Sequence, residues 1–528
     1  MVMARRGMVC TSNPLASMAG IDVLKDGGNA VDAAICANAM LSVVEPLFCG
    51  PGGDLFSLVW VEKERKLFAL NASGRSPYDW DLGLAQTMGL TRIPSYHPLS
   101  WNVPGCVSGW GALSERFGTY QWNRLFQHAV AYAKEGFPLY PVALRYWNIE
   151  HNGYPDLEKA FFPDGKAPKV GDIFTNRNLG DFFKTLSAGG PDVFYHGEIA
   201  ERIVKYSMKV GGKLALKDFQ DHSPDWVDPV CTTYKGYSVW EVPPSTQGIA
   251  ALQILNMLEH LEINSHPGNS TEYLHLLIEA KKVAYEDRAT YYADPQVADV
   301  PIERLISKEY ARTRSRLIRT DKASDSVPAG ILDQPSDTTY LTTADEEGNM
   351  VSLIQSNMGN FGSKYVPDNL GFVMQNRGSF FSLDPGHRNK LEPHKRPFHT
   401  IIPAFVTNRD EPVFSFGVLG AGFQPQGHVQ ILLNILEHGM SVQQAGEFPR
   451  VAHWGSSAPE GGKMTDGGTV VLEPGIPEEV GRALAERGHN VSDKRSVNGG
   501  YQGIWREEEP LRYFGGSDPR FDGCALGY

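Results

Sequence analysis

The chain changes its hydrophobic pattern between Thr320 and Thr338. Before this point, apolar residues recur at helical spacing, notably in two pieces over 16–43 around a Gly-Gly pair and again over 271–294. The stretch 320–334 is rich in Asp, Ser, Pro and Gly, which is typical of an exposed, mobile loop. At Thr338 the pattern becomes that of strands. A mobile segment directly before a strand is a common place for proteolytic processing.

The residues after Thr338 predict two β-hairpins and a covering helix. Segments 338–344 and 350–355 flank a polar turn, and 401–406 and 412–417 flank another. Val429, Leu432, Leu433 and Leu436 mark one apolar helix face. Antiparallel hairpins covered by helices predict an α+β fold in which sheet layers lie between helical layers. With 528 residues, 41% of them hydrophobic and 21% charged, the chain can bury a sizeable core.

Composition and missing motifs exclude several classes of function. A net charge of -12 and a pI near 5.7 argue against a nucleic-acid or anionic-membrane surface. No apolar stretch approaches the roughly 20 residues of a membrane span, and we see no signal peptide. The six cysteines are scattered without a C-x-x-C pair, which favours buried thiols and a cytoplasmic location. Zincin, P-loop and G-x-S-x-G signatures are absent, and we expect neither a metal nor a cofactor.

An ordered set of short motifs covers nearly the whole chain and resembles the γ-glutamyltransferase family. In the second half the matching segments are Asp337-Thr338-Thr339-Tyr340, Gly348-Asn349, the run 352–357, Phe361-Gly362, Gln375-Asn376-Arg377, Lys395-Arg396-Pro397 and Gly420-Ala421. In the first half they are Pro14, Gly20, the run 27–34, Pro51-Gly52-Gly53, Pro104-Gly105 and Gly109. Many separated matches in one order are far less expected by chance than one short motif.

The resemblance implies the αββα four-layer sandwich of N-terminal-nucleophile hydrolases. It would be formed jointly by two fragments of one precursor, a large one of residues 1–337 and a small one of residues 338–528 that begins at the nucleophile. The cut would fall between Asp337 and Thr338. The two fragments would stay associated, and a homodimer or a dimer of such heterodimers is left open.

The chemistry of an N-terminal threonine explains why such a cut would be needed. A threonine hydroxyl is a weak nucleophile, and no Ser-His-Asp-like set is evident around Thr338. Once freed, the α-amino group of Thr338, with an ordinary pKa of about 7.7–8.0, can act as general base for its own Oγ. By the resemblance, Ser356 takes the place of the family's second threonine, which hydrogen-bonds the nucleophile. The oxyanion hole falls on the backbone N–H groups of Gly420 and Ala421.

The positions that recognise substrate depart from the family pattern. The aspartate that binds the substrate's α-ammonium group in the family falls on Phe380, and the polar residue before it falls on Arg377. The family's two carboxylate-binding serines fall on His399 and Thr400. The asparagine that follows the family's second threonine falls on Met358, and Asn357 lies beside it. Arg75 lies about two positions out of register with the family's carboxylate-binding arginine. Arg75 could bind a substrate carboxylate or have a structural role. His399 could contact the substrate or pack in the core.

These departures lead to three functional hypotheses. The first is an amidohydrolase for a small amide that carries a carboxylate but no γ-glutamyl α-amino group. The chain resembles the family's acylase and oxamate amidohydrolase branch, and this resemblance implies oxamate-like or glutaryl-like amides. The second is a γ-glutamyltransferase or glutathione hydrolase. The third is an uncleaved relative that only binds other molecules, against which Thr338 and its surrounding motif argue.

Overall fold

The computed structural model describes residues 1–325, 337–495 and 499–528, and for Asp337 the backbone only. Most of the predicted loop at 320–334 therefore lies outside the described residues. In the described part the eighteen strands, β1 to β18 in chain order, are Val2–Ala4, Met8–Thr11, Asp54–Val61, Lys66–Ala72, Phe137–Pro138, Ile173–Phe174, Asp225–Val227, Val230–Tyr234, Tyr237–Glu241, Asp337–Ala344, Met350–Met358, Ala404–Asn408, Glu411–Val418, Val451–Trp454, Thr469–Leu472, Tyr501–Glu507, Arg512–Ser517 and Cys524–Gly527.

The helices cover the predicted helical segments and add many short ones. In the same described residues the eighteen α-helices, α1 to α18, are Pro14–Lys25, Ala30–Val44, Leu82–Thr87, Cys106–Phe117, Gln127–Glu135, Pro141–Arg145, Pro155–Phe161, Arg177–Gly189, Asp192–Tyr195, Glu198–Val210, Leu216–Gln220, Gly248–His260, Thr271–Tyr291, Ile302–Leu305, Lys308–Ser315, Gln424–Leu436, Val442–Glu447 and Glu478–Glu486. Gly27, at a φ of +90°, separates α1 from α2. Asn29 then caps α2 in a capping box with Asp32.

Two seven-stranded antiparallel sheets form the centre of the molecule. The first sheet has the order β1-β17-β16-β13-β12-β9-β8, and the second has the order β18-β2-β10-β11-β3-β4-β7. Both sheets therefore combine strands from before and after Thr338. Strand β10 lies between β2 and β11, so the strand that begins at the predicted cleavage point is interior to its sheet.

Three apolar clusters define four layers. Phe56, Tyr340 and Ile354 of the second sheet pack against Phe405 and Ile504 of the first. The outer face of the second sheet packs on α1, α2 and α4, and the outer face of the first packs on α12, α13 and α16. The order is helix, sheet, sheet, helix, which confirms the predicted αββα sandwich.

Strand β10 shows how the sequence produces this burial. Its side chains alternate, so Leu341 joins the cluster beneath the helices while Tyr340 enters the cluster between the sheets. Thr342, on the same side as Tyr340, meets Ser415 of the opposite sheet at 2.6 Å between hydroxyl oxygens. Because β10 is an interior strand that is buried on both faces, packing from both sides fixes the position of its first residues.

Two expectations about chain environment can be compared with the structure. All six cysteines lie in the described residues as free thiols. Four of them are buried, as the scattered spacing predicted, whereas Cys231 and Cys524 are only half-buried. No helix within residues 1–325, 337–495 and 499–528 combines the length and apolar character needed to cross a membrane.

Candidate active site

Thr338 lies fully buried at the start of β10. Its Oγ1 donates to Ser356 Oγ at 3.5 Å and accepts from Gln424 Nε2 at 3.5 Å. Both distances are at the outer limit of hydrogen bonding, which is common for catalytic groups before substrate binds. The regular pairing of β10 with β11 is interrupted between Asp337 and Thr339, so Thr338 lies at an irregularity of the ladder.

Ser356, near the end of β11, connects Thr338 to a buried cation. Its Oγ accepts from the backbone N–H of Met358 at 2.8 Å and from Arg377 Nη2 at 3.3 Å. Arg377 also donates through Nη1 to Thr400 Oγ1 at 2.8 Å. The structure therefore brings four of the residues singled out from the sequence into one chain of contacts.

Arg377 is fully buried, and a carboxyl that the sequence analysis missed lies near it. Burial lowers the pKa of Arg377 to about 10, an effect that nearby Asp54 opposes. Burial likewise raises the pKa of Asp54 to about 7, although backbone N–H groups of Gly74 and Gly105 donate to its Oδ1. Asp54 is opposite Ser356 across the β3–β11 ladder. The sequence motifs do not single out Asp54, because only the strand register places it at the site.

His399 is buried beside these charges. Its Nε2 lies 3.7 Å from Asp54 Oδ2, and both side chains are fully excluded from solvent. Burial, together with the neighbouring cations Arg377 and Arg396, holds the pKa of His399 well below its usual range, so the ring is neutral. Both of its ring nitrogens lack a hydrogen-bond partner among the described residues, as do Oδ2 of Asp54 and Nε of Arg377. Buried polar atoms normally have partners, so this group marks a place for water or a polar ligand.

The turn that follows β13 contains two consecutive residues with positive φ, Gly420 and Ala421, which are the positions that the resemblance assigns to the oxyanion hole. Gly420 has a φ of +126° and Ala421 a φ of +52°, both in the left-handed region. Two carbonyl groups of this turn accept hydrogen bonds from side chains. Gln247 Nε2 donates to the oxygen of Ala421 at 2.8 Å, and the Tyr285 hydroxyl donates to the oxygen of Gly422. Gln424, three residues after Ala421, contacts Thr338 itself.

A small aromatic cavity adjoins this turn. Phe380 and Phe398 pack edge to face with 5.9 Å between ring centroids, and the Arg377 guanidinium lies 5.5 Å from the Phe380 centroid. The cavity is also lined by Thr400, Ala421 and two charged residues, Arg288 and Glu460. Its volume of about 10 Å³ is enough for about one water molecule. Phe380 thus presents an apolar wall where the family pattern has an acid.

Two sequence-predicted residues have contacts elsewhere. The guanidinium of Arg75 is paired with Asp225 at 3.1 Å and donates to Gln296 Oε1 at 2.9 Å. The side chain of Asn357 donates to the carbonyl of Pro46 at 3.3 Å, and its N–H donates to the carbonyl of Phe48. Neither of these contacts joins Arg75 or Asn357 to the chain of contacts that runs from Thr338 through Ser356 to Arg377.

Comparison with known proteins agrees with this geometry. The family described as gamma-glutamyltranspeptidase matches residues 16–528. A glutathione hydrolase-like proenzyme of Bacillus subtilis is 36% identical over 100% of this chain and 99% of its own length. An oxamate amidohydrolase proenzyme of Klebsiella pneumoniae is 31% identical over 99% of this chain and 98% of its own. The crystal structure of a cephalosporin acylase from Bacillus halodurans superposes with a TM-score of 0.91 at 37% identity, covering 100% of this chain and 96% of that one. The chain therefore belongs to the γ-glutamyltranspeptidase family of hydrolytic proenzymes.

Proposed function

We propose that the chain cuts itself before Thr338 and then hydrolyses a small amide that carries a carboxylate next to the scissile bond. The observation that supports this most is the buried Arg377 guanidinium, which is connected to the Thr338 hydroxyl through Ser356 alone. A guanidinium recognises a carboxylate with charge-assisted hydrogen bonds. Its Nε and the ring of His399 supply further polar atoms that have no partner among the described residues.

Self-cleavage would proceed as an acyl shift. Thr338 Oγ attacks the carbonyl carbon of Asp337, an ester bond forms, the peptide C–N bond breaks and the nitrogen of Thr338 takes up a proton. Water then hydrolyses the ester, which frees Oγ and leaves a carboxylate on Asp337. The new α-amino group of Thr338 can now accept the proton of its own hydroxyl.

Substrate turnover would use the same hydroxyl. Oγ attacks the substrate amide carbon, the α-amino group takes the hydroxyl proton and passes it to the leaving nitrogen, and an acyl-threonine ester remains. The N–H groups of the turn at Gly420 and Ala421 stabilise the oxyanion in both halves of the reaction. Water hydrolyses the ester and returns the enzyme to its starting state.

The position of Arg377 favours a short acyl group. In oxamate the carboxylate carbon is bonded directly to the scissile carbonyl carbon, so both must be held within a few ångströms of each other. Arg377 Nη2 and Thr338 Oγ1 contact the same Ser356 Oγ at 3.3 Å and 3.5 Å, so they are at most 6.8 Å apart, which suits that spacing. A glutaryl group places three methylene groups between the two carbons and needs a cation farther away. An oxamate amidohydrolase among the relatives is in line with this choice.

Phe380 argues against a γ-glutamyl substrate. A protonated α-amino group placed against its ring would lose hydration and regain a cation–π contact of about 0.5–2 kcal/mol, while Arg377 nearby would repel it. A carboxylate in the place of Phe380 would instead supply a charge-assisted hydrogen bond.

A substrate panel with matched arginine variants tests the proposal. We expect ammonia release from oxamate to exceed amine release from glutaryl and γ-glutamyl anilides, and Thr338→Ala to remain one full-length, inactive chain. Arg377→Met should lower kcat/KM for oxamate by about 10- to 1000-fold but lower it much less for neutral oxamide, because only oxamate carries the charge. Arg75→Met is the matched control for loss of a buried arginine.

Three results would contradict the proposal in different ways. A wild-type preference for the γ-glutamyl anilide would refute the argument from Phe380. A loss of oxamate preference in Arg75→Met but not in Arg377→Met would move the carboxylate site to Arg75. Intact-mass measurement of active enzyme with an unbroken bond before Thr338 would refute self-cleavage.

A further inference from the structure

One buried glutamine connects the turn at Gly420 and Ala421, called the oxyanion turn after its proposed role, to Thr400, which contacts Arg377. The amide nitrogen of Gln247 donates to the carbonyl of Ala421 at 2.8 Å and to the carbonyl of Thr400 at 2.6 Å. Gln247 is fully buried immediately before α12. Both of its amide hydrogens are thereby used on the two segments that flank the β12–β13 hairpin, one before β12 and one after β13.

The orientation of this amide is fixed by Arg288 of α13. Arg288 Nη1 donates to Gln247 Oε1 at 2.8 Å. Because a guanidinium can only donate, the atom facing it must be the oxygen, and the amide nitrogen must face the two carbonyls. Arg288 is itself held, since its Nη2 donates to the carbonyl of Ser457 at 2.9 Å and its guanidinium stacks on Tyr285 at 3.8 Å from the ring centroid.

We propose that Gln247 is a positioning residue that holds the oxyanion turn at Ala421 in register with Thr400, and that Arg288 orients it. The hydrogen bond to the carbonyl of Ala421 fixes the plane of the following peptide and so restrains a turn whose φ of +52° a non-glycine residue rarely adopts. Preorganised donors stabilise a transition state because they need no reorientation as charge develops. The inference rests on the proposed roles of Thr338 as nucleophile and of Gly420 and Ala421 as oxyanion donors, but not on which amide is the substrate.

The location of Gln247 adds a consequence for the processed enzyme. Gln247 and Arg288 precede Thr338 in the sequence, whereas Ala421 and Thr400 follow it. After the proposed cut, the large fragment would still hold the oxyanion turn of the small one. Catalytic competence would then require the fragments to remain joined at this contact.

Two substitutions remove the donors of Gln247 and one control removes a comparable glutamine. Gln247→Leu deletes the amide, and Gln247→Glu keeps the shape while replacing the donating nitrogen by oxygen. Gln253, also buried and on the helix that begins directly after Gln247, donates to Asp287 at 2.8 Å and accepts from Tyr292. Gln253→Leu is therefore the matched control for loss of a buried amide that does not touch the oxyanion turn.

The test measures a tetrahedral adduct as well as turnover. Phenylboronic acid becomes tetrahedral when an active-site hydroxyl attacks its boron, and one boron oxygen then occupies the position of the oxyanion. We expect both Gln247 variants of the mature enzyme to bind this probe about 10- to 100-fold more weakly by titration calorimetry. Their kcat should fall by a similar factor with KM changed less than about threefold. Gln253→Leu should remain close to wild type in both measurements.

Different outcomes separate this inference from the proposed function. Unchanged boronate affinity and kcat in Gln247→Glu would overturn the positioning role, and so would an equal loss in Gln253→Leu. Failure of the proposed role of Thr338 would appear instead as boronate binding that survives Thr338→Ala.

Discussion

The substitution Asp54→Asn should change how the stability of the protein depends on pH. Asp54 is fully buried, its Oδ1 accepts from the N–H groups of Gly74 and Gly105, and burial raises its pKa from an ordinary 3.8 to about 7. Asparagine can keep the Oδ1 contacts, and its nitrogen would replace an oxygen that has no hydrogen-bond partner among the described residues. The substitution therefore removes the ionisation with little change of shape.

The sign and size of the effect follow from the two pKa values. In the unfolded chain the carboxyl of Asp54 ionises near pH 3.8, but in the folded protein it keeps its proton until about pH 7. Stability from this group is thus complete below pH 3.8, declines as pH rises, and is lost once pH exceeds about 7. At about 1.36 kcal/mol per pH unit the whole change is about 4 kcal/mol, of which about 2 kcal/mol falls between pH 5.5 and 8.5.

Differential scanning calorimetry can measure this difference. The substitution is best placed in the Thr338→Ala background, where we expect every molecule to be one uncut chain. An unfolding entropy of about 2.1 cal/mol/K per residue, taken over this chain, converts about 2 kcal/mol into about 2 °C of Tm. The Asp54→Asn variant should therefore gain about 2 °C on its parent when pH rises from 5.5 to 8.5. An identical Tm difference at both pH values would refute the raised pKa. Other groups, including Glu45, whose pKa burial also raises to about 7, are present in both proteins and cancel.

Three further substitutions test the nucleophile and its oxyanion turn. Ser356→Ala should fold but should slow self-cleavage, turnover or both by about 10- to 100-fold, because it removes the hydroxyl that contacts Thr338. Gel-resolved cleavage and steady-state rates would check this. Ala421→Gly should raise stability by up to about 1 kcal/mol by relieving its left-handed φ, with kcat retained, as urea unfolding and kinetics would show. Gly420→Ala should lower kcat, because its φ of +126° is unsuited to a side chain and the added methyl would meet Gly499; unchanged kcat would remove this turn from the oxyanion site.

Local patterns in the sequence predicted the elements of the fold well. The hairpin predicted at 338–344 and 350–355 corresponds to β10 and β11, and the helical segment at 271–294 corresponds to α13. The second hairpin differs at its start, since the strand predicted from Ile401 begins at Ala404. The residues before it are used by the site instead: the N–H of His399 donates to the carbonyl of Ser245, and the N–H of Ile402 donates to Gln424. Apolar alternation cannot distinguish a strand from an extended segment whose N–H groups find partners outside a regular ladder.

The sequence predicts those site residues that lie within a recognisable short motif. It does not predict those that reach the site only through their position in the fold. Thr338, Ser356 and Arg377 lie in segments with a recognisable order, and they meet in the structure. Asp54 and Gln247 were missed because their importance comes from what they face across the fold. Asp54 is opposite Ser356 in a ladder between distant parts of the chain, and Gln247 reaches the oxyanion turn from the other side of the proposed cut.

The interleaving of strands explains how a cut before Thr338 could create a catalyst without dismantling the protein. In the second sheet β10 lies between β2, which precedes the cut, and β11, which follows it. In the first sheet β12 pairs with β9 across the same boundary. Separating the fragments would break these ladders and expose the apolar clusters on both sides of each sheet. The free energy lost in this way would far exceed the entropy that the fragments gain from no longer being covalently joined. The new amino group would therefore appear inside a site whose Ser356, Arg377 and oxyanion turn are already in place, and cleavage would need to change only the chemistry at Thr338.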